Sequence, residues 1–194
     1  KFNEAANVLY KFTWNIFCDW YLEFTKIIYQ SPNSDDIKET KNVTSFILSN
    51  TLVMLHPIIP FFTEHLWKEA AHVLKKNSEK INQAKWPEKV NNNGNNTSKI
   101  NTLISLITAI RSTRSELNVP ANIEIDIVYS NISDELKLTI ESHKSTILNL
   151  TKSKSISMSV FKKNEGMIQV MFNDGLIYLS LKDIINFEEE AIRL

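Results

Sequence analysis

The stretch from Met54 to Trp67 constrains the chain most. It places His56 and Pro57, then Pro60, between two amphipathic runs. The residue before a proline is pushed out of the α region, so a first helix is expected to stop at His56. Pro60 suits the entrance of a second helix, where a missing N–H costs nothing. Phe62, Leu66, Trp67, Ala70, Val73 and Leu74 then recur at helical spacing and predict a helix that fades near Lys75 and Lys76. A corner bracketed by prolines fixes how two long helices pack, so the first reading is a core elbow in a helical bundle.

Upstream, Phe2, Ala5, Leu9, Phe12, Ile16, Trp20, Phe24 and Ile27 step at three and four, one face of a long helix. Tyr10, Trp14, Phe17 and Tyr21 widen the stripe, which predicts burial on more than one side. Ser31, Pro32 and Asn33 break this helix. Ser34 is the expected cap of the next, with Asp35 and Asp36 at the positive end of its dipole. Ile37, Val43, Ile47, Thr51 and Met54 would be its inward face. Residues 81–87 read as extended, with Trp86 anchoring them to the bundle. Residues 91–98 are polar and turn-rich and read as a linker.

The second half reads differently. Ile100, Leu103, Ile107, Ile110 and Leu117 mark a helix, and Arg114 falls on the same stripe. A charge inside an apolar face is the one violation of pattern there, and such violations tend to mark function; the plainer reading is an arginine paired with a carboxylate at a helix–helix seam, or one reaching outward. Asn118, Val119 and Pro120 end the helix. Ile123, Ile125 and Ile127 alternate with acids, a strand. Ser133 caps a helix that carries Leu136, Ile140, Ile147 and Leu150 inward. Three further strands follow around Ile156, Ile168 and Ile177, the last two joined at Asn173, Asp174 and Gly175, a hairpin signal. From Lys182 the pattern turns helical again. The order predicts a parallel pair across the helix, then an antiparallel meander of the last three strands. The fold class is therefore an α-helical bundle over 1–90, a linker over 91–98, and a small α+β domain with a mixed four-stranded sheet over 99–194. Neither the first helix nor the last carries a cap at the chain end, so a fragment of a longer protein is expected.

Composition excludes several functions. The 22 basic residues balance 22 acidic ones, so any RNA contact must come from local patches. One cysteine, Cys18, excludes an internal disulfide and fits a reducing compartment. No apolar run reaches membrane-spanning length. Three glycines leave no Gly-rich phosphate loop. No catalytic or metal-binding constellation is evident; His65 and His72 are two helical turns apart, about 10 Å. Lys152, Lys154, Lys162 and Lys163 bracket the second strand and the turn after it, and on a hairpin they would converge on phosphate.

Residues 17–23, the run from Leu55 to Trp67, Trp86 with Pro87, and the run from Ala109 to Val119 resemble the C-terminal region of the valyl-tRNA synthetase family, class I aminoacyl-tRNA synthetases. The resemblance covers nearly the whole chain in order. It implies an anticodon-binding bundle followed by a junction domain that leads to a missing coiled-coil arm. The parent would attach valine to tRNA-Val with ATP and Mg2+, using catalytic and editing domains upstream; this chain would be inactive alone and need no cofactor. Lys152 to Ser155 resembles a K-M-S-K-S motif but lacks its methionine. The expected partners are the anticodon stem-loop of tRNA-Val and the upstream catalytic domain, in a cytoplasmic monomer with no membrane contact. Candidate tRNA-binding residues are Arg111, Arg114, Lys11, Lys26, Lys152, Lys154, Lys162 and Lys163. The alternatives are the same domain of an isoleucyl or leucyl synthetase, or a protein–protein module without RNA binding.

Overall fold

A computed structural model describes residues 1–30, 33–74, 78–90, 97–159, 166–172 and 175–181. The chain divides into two compact units, Lys1–Asn92 and Asn93–Leu194. The first is helical and the second pairs helices with a sheet, as the periodicities predict.

In the first unit, α1 (Phe2–Lys11), a π-helical segment (Phe12–Tyr21) and α2 (Leu22–Tyr29) run on without a break. In the π segment each amide reaches five residues back, as the Leu22 N–H does to the Phe17 carbonyl. This wider winding changes the phase of the helix. Phe17, Tyr21 and Thr25, spaced by four, turn inward, and the Phe17 and Tyr21 rings stack at 5.3 Å. The stripe through Ile16 does not, and Phe2, Tyr10, Trp14 and Ile16 are exposed, against the expectation of burial on several sides.

Helix α3 (Ser34–Leu55) is capped by Asn33, one residue earlier than expected, whose side chain accepts from the Asp35 N–H. Its buried positions are Thr40, Ser45, Ser49, Thr51, Leu52 and Val53, while Val43 faces out. An apolar pattern could not reveal this face because hydroxyl residues line it. Thr44 and Ser49 donate to carbonyls four residues back, each at 2.7 Å, which lets small polar side chains be buried. Tyr21 reaches across from the π segment to Thr44 Oγ1 at 3.1 Å and pins the two helices together.

Helix α4 (Pro60–Glu69) ends at Glu69, and residues 70–74 are turns, so the expected end near Lys75 is too late. Trp67, 1% exposed, centres a core with Leu52, Val53, Leu74 and Ile81. Ile81–Gln83 is a short 3-10 turn rather than extended chain.

In the second unit, α5 (Thr97–Glu116) begins inside the stretch expected to be linker. It is followed by β1 (Ile125–Ser130), α6 (Asp134–Ser142), α7 (Lys144–Thr151), β2 (Ser153–Met158), β3 (Met167–Phe172) and β4 (Gly175–Ser180). Ser133 caps α6 as expected, accepting from the Leu136 N–H. One predicted helix is two, broken at His143, though Leu136, Ile140, Ile147 and Leu150 all turn inward.

The sheet order is β2-β1-β4-β3, with β1 and β2 parallel and the β1–β4 and β3–β4 pairs antiparallel. The parallel pair is as expected. The meander is not: β2 and β3 lie at opposite edges. Burial explains the placement. In β1 and β4, Ile127 pairs with Leu179 and Tyr129 with Ile177, all buried, whereas β2 carries three serines and Lys154, which suit an edge. The β3–β4 register closes at Phe172 and Gly175, so this hairpin stands where it was read. A Cβ on Gly175 would lie 2.5 Å from Ile132 Cγ2, so only glycine fits there. Helix α5 packs against α6, α7 and β3. Lys75, Lys76, the turn at Asn164, the Asn173–Asp174 pair and the helix expected from Lys182 lie outside the described residues, as do Ser31 and Pro32.

Candidate nucleic-acid interface

The elbow is built as its prolines require, with one change. His56 keeps a helical backbone (φ −55, ψ −40) despite preceding Pro57. The break falls at Ile59, before Pro60, where φ is −131 and ψ 66. The Leu55 carbonyl accepts the N–H groups of both Ile58 and Ile59, at 2.9 and 3.0 Å, and closes the end of α3. Phe61 and Phe62 project outward while Trp67 goes into the core, so the elbow presents aromatic surface on its outer side. Behind it, Phe2, Val8, Met54, Pro57, Ile58 and Trp86 line an open groove of about 640 Å3. Trp86 lies along this groove at 62% exposure rather than as a buried anchor.

The basic candidates separate into distinct environments. Lys11 is exposed, one turn from Trp14 and next to Tyr10, both of which also face solvent. Lys11 and Trp14, three apart, are neighbours on the helix surface, and a cation near an exposed ring can grip a phosphate where a base stacks. Lys26 pairs with Glu23 on its own helix, which offsets part of its charge.

Arg114 is 7% exposed. Its guanidinium donates to the carbonyls of Lys152 (2.8 Å), Pro120 (3.2 Å) and Ile123 (2.7 Å). Burial alone pushes its pKa below the ordinary guanidinium value. Of the two plain readings, the seam is right and the carboxylate is not: backbone carbonyls take its place. Arg111 donates its Nε–H to the Leu150 carbonyl at 2.7 Å. Both arginines thus reach the C-terminal end of α7, whose last carbonyls need partners and whose dipole favours cations. Arg114 thereby serves the fold rather than an outer surface.

Lys152 is the C-cap of α7, in the left-handed region at φ 51, with an exposed side chain. Lys154 is exposed on the edge strand. The hairpin expected to bring Lys152 and Lys154 toward Lys162 and Lys163 is not formed by β2 and β3, which are not neighbours; Lys162 and Lys163 lie outside the described residues. Among the described residues, no His, Cys, Asp or Glu cluster could hold a metal, and no helix is long and apolar enough to cross a membrane.

A helical unit with an aromatic elbow and a cation beside exposed aromatics has the features of an RNA-binding bundle. Residues 1–129 match the family described as the anticodon-binding domain of tRNA ligase, and the chain belongs to that family. The match runs past the first unit, through α5 and into β1. The whole chain is 35% identical to a valine–tRNA ligase of Brucella suis and covers 21% of it. It is 36% identical to a valine–tRNA ligase of Zymomonas mobilis, covering 22%, and 34% identical to one of Bartonella henselae, covering 21%. The chain thus spans about a fifth of the length of the curated relatives it matches.

Proposed function

We propose that this chain holds the anticodon stem-loop of tRNA-Val within a valine–tRNA ligase. The observation that carries the reading is the family match over residues 1–129, which contains the whole elbow. The geometry agrees with it: Tyr10 and Trp14 offer faces for unpaired bases, and Lys11 offers a phosphate contact beside them. Lys26, Lys152 and Lys154 are secondary contacts. Recognition here is binding, and the chemistry lies elsewhere in the parent, which joins valine to tRNA in the cytoplasm. ATP and Mg2+ would be bound by that part of the parent.

The test is titration of the chain with labelled tRNA-Val and with an anticodon-swapped tRNA at two salt concentrations. Tighter binding of tRNA-Val that weakens with salt is the expected result. Lys11→Ala should lower the salt slope by about one phosphate contact, and Lys26→Ala by less, because Glu23 already offsets it. Equal or absent binding of the two RNAs would sink the reading and favour a protein partner for the apolar groove.

A further inference from the structure

In the helical unit, the end of α2, the middle of α3 and the turn after α4 line a second cavity of about 520 Å3. Tyr29, Leu48 and Val73 supply its apolar wall, and Lys41, Asn42 and Ser45 its polar one. Its volume falls within the range of small-ligand sites, roughly 300–1,000 Å3. Lys41, Ser45 and Leu48 are spaced by four and three, so they share one face of α3. The Tyr21–Thr44 hydrogen bond at 3.1 Å fixes that face against the π segment.

Two observations distinguish this cavity from a gap in packing. Ser45 is 9% exposed, and its buried hydroxyl has no hydrogen-bond partner. Other α3 hydroxyls, those of Thr44 and Ser49, donate to the carbonyl four residues back; that of Ser45 does not. A buried unpaired hydroxyl is unfavourable, and because it is closed to solvent only an opening of the cavity wall at Ser45 would give it a polar partner. Lys41 and Asn42 are exposed, and neither has a hydrogen bond or ion pair among the described residues. A cation, an amide that can both donate and accept and a half-exposed phenol ring therefore converge on one cavity.

We propose that this cavity takes one unpaired nucleotide of the bound RNA. Its base stacks on Tyr29, its edge meets Asn42, and its phosphate meets Lys41. The proposal rests on the RNA-binding reading above and names a site within it.

The test uses the 194-residue chain and an RNA hairpin with an unpaired loop, compared with the same stem closed into a continuous duplex. Tyr29→Ala should weaken hairpin binding about five- to 100-fold, the loss of one stacked base, and leave duplex binding unchanged. Tyr29→Phe should retain the stacking. Asn42→Ala should flatten the preference among loop bases without altering the salt slope, and Lys41→Ala should lower that slope by about one. If the chain prefers the hairpin and the Tyr29→Ala and Asn42→Ala variants bind like the parent, the cavity proposal falls and the RNA-binding reading stands. If the chain itself does not distinguish hairpin from duplex, both fall. Circular dichroism of each variant guards against misfolding; should Tyr29→Ala disturb the fold, the exposed Asn42 decides.

Discussion

His56 Nδ1 and Thr63 Oγ1 lie 2.8 Å apart across the elbow, joining the end of α3 to the first turn of α4. Thr63 is fully buried, and its hydroxyl donates to the carbonyls of Ile59 and Pro60, each at 3.0 Å. Three acceptors compete for the one Thr63 proton, so which of His56 Nδ1 and Thr63 Oγ1 donates follows the imidazole tautomer. Thr63→Val keeps the shape and removes the hydroxyl. It should destabilise the helical unit by about 1–3 kcal/mol in urea unfolding. A neutral result would mean that the prolines alone set the angle of the elbow.

Arg114→Met should cost the second unit about 3 kcal/mol or more, because three carbonyls lose one shared partner. Arg114→Lys should fail to rescue it, since an ammonium cannot reproduce the planar fork. Thermal unfolding measures both. RNA affinity of the folded fraction should keep its salt slope; a reduced slope would return Arg114 to the list of phosphate contacts.

Lys152 holds a left-handed backbone with an exposed side chain. Lys152→Gly removes the conformational strain and should raise stability by about 1 kcal/mol. An unchanged or lower unfolding midpoint would show that the lysine side chain contributes more than its backbone costs.

Tyr129 has its pKa raised, first by burial and then by the charge of Glu141. The folded state therefore holds the phenolic proton more tightly than the unfolded chain does. This contribution is complete below the unfolded value of about 10 and is lost as pH rises through the folded value. The second unit should lose stability progressively above pH 10, and Tyr129→Phe should flatten that part of the profile. Parallel profiles for the two proteins would exclude Tyr129 as the source.

Much of this architecture follows from local rules. The proline elbow, the Ser133 cap, the left-handed Asn118 that ends α5 and the tight β3–β4 turn depend on a few adjacent residues. After Asn118 the Val119 N–H reaches the Arg114 carbonyl at 2.9 Å, as a helix stop of that kind requires. Family membership is equally local, carried by runs such as Leu55 to Trp67. Tertiary structure alone decided the rest. The phase of the first helix depended on a π segment, whose hydrogen bonds leave no mark in apolar spacing. The inward face of α3 depended on small hydroxyl side chains, of which Ser49 bonds its own backbone, and apolar spacing does not register them. The place of β2 at an edge depended on which strands could be buried on both faces. Arg114 could be read as a seam pairing or as an RNA contact because a sequence shows a charge but not the carbonyls that surround it. Those carbonyls come from residues 6, 9 and 38 positions away, and only the folded chain brings them together.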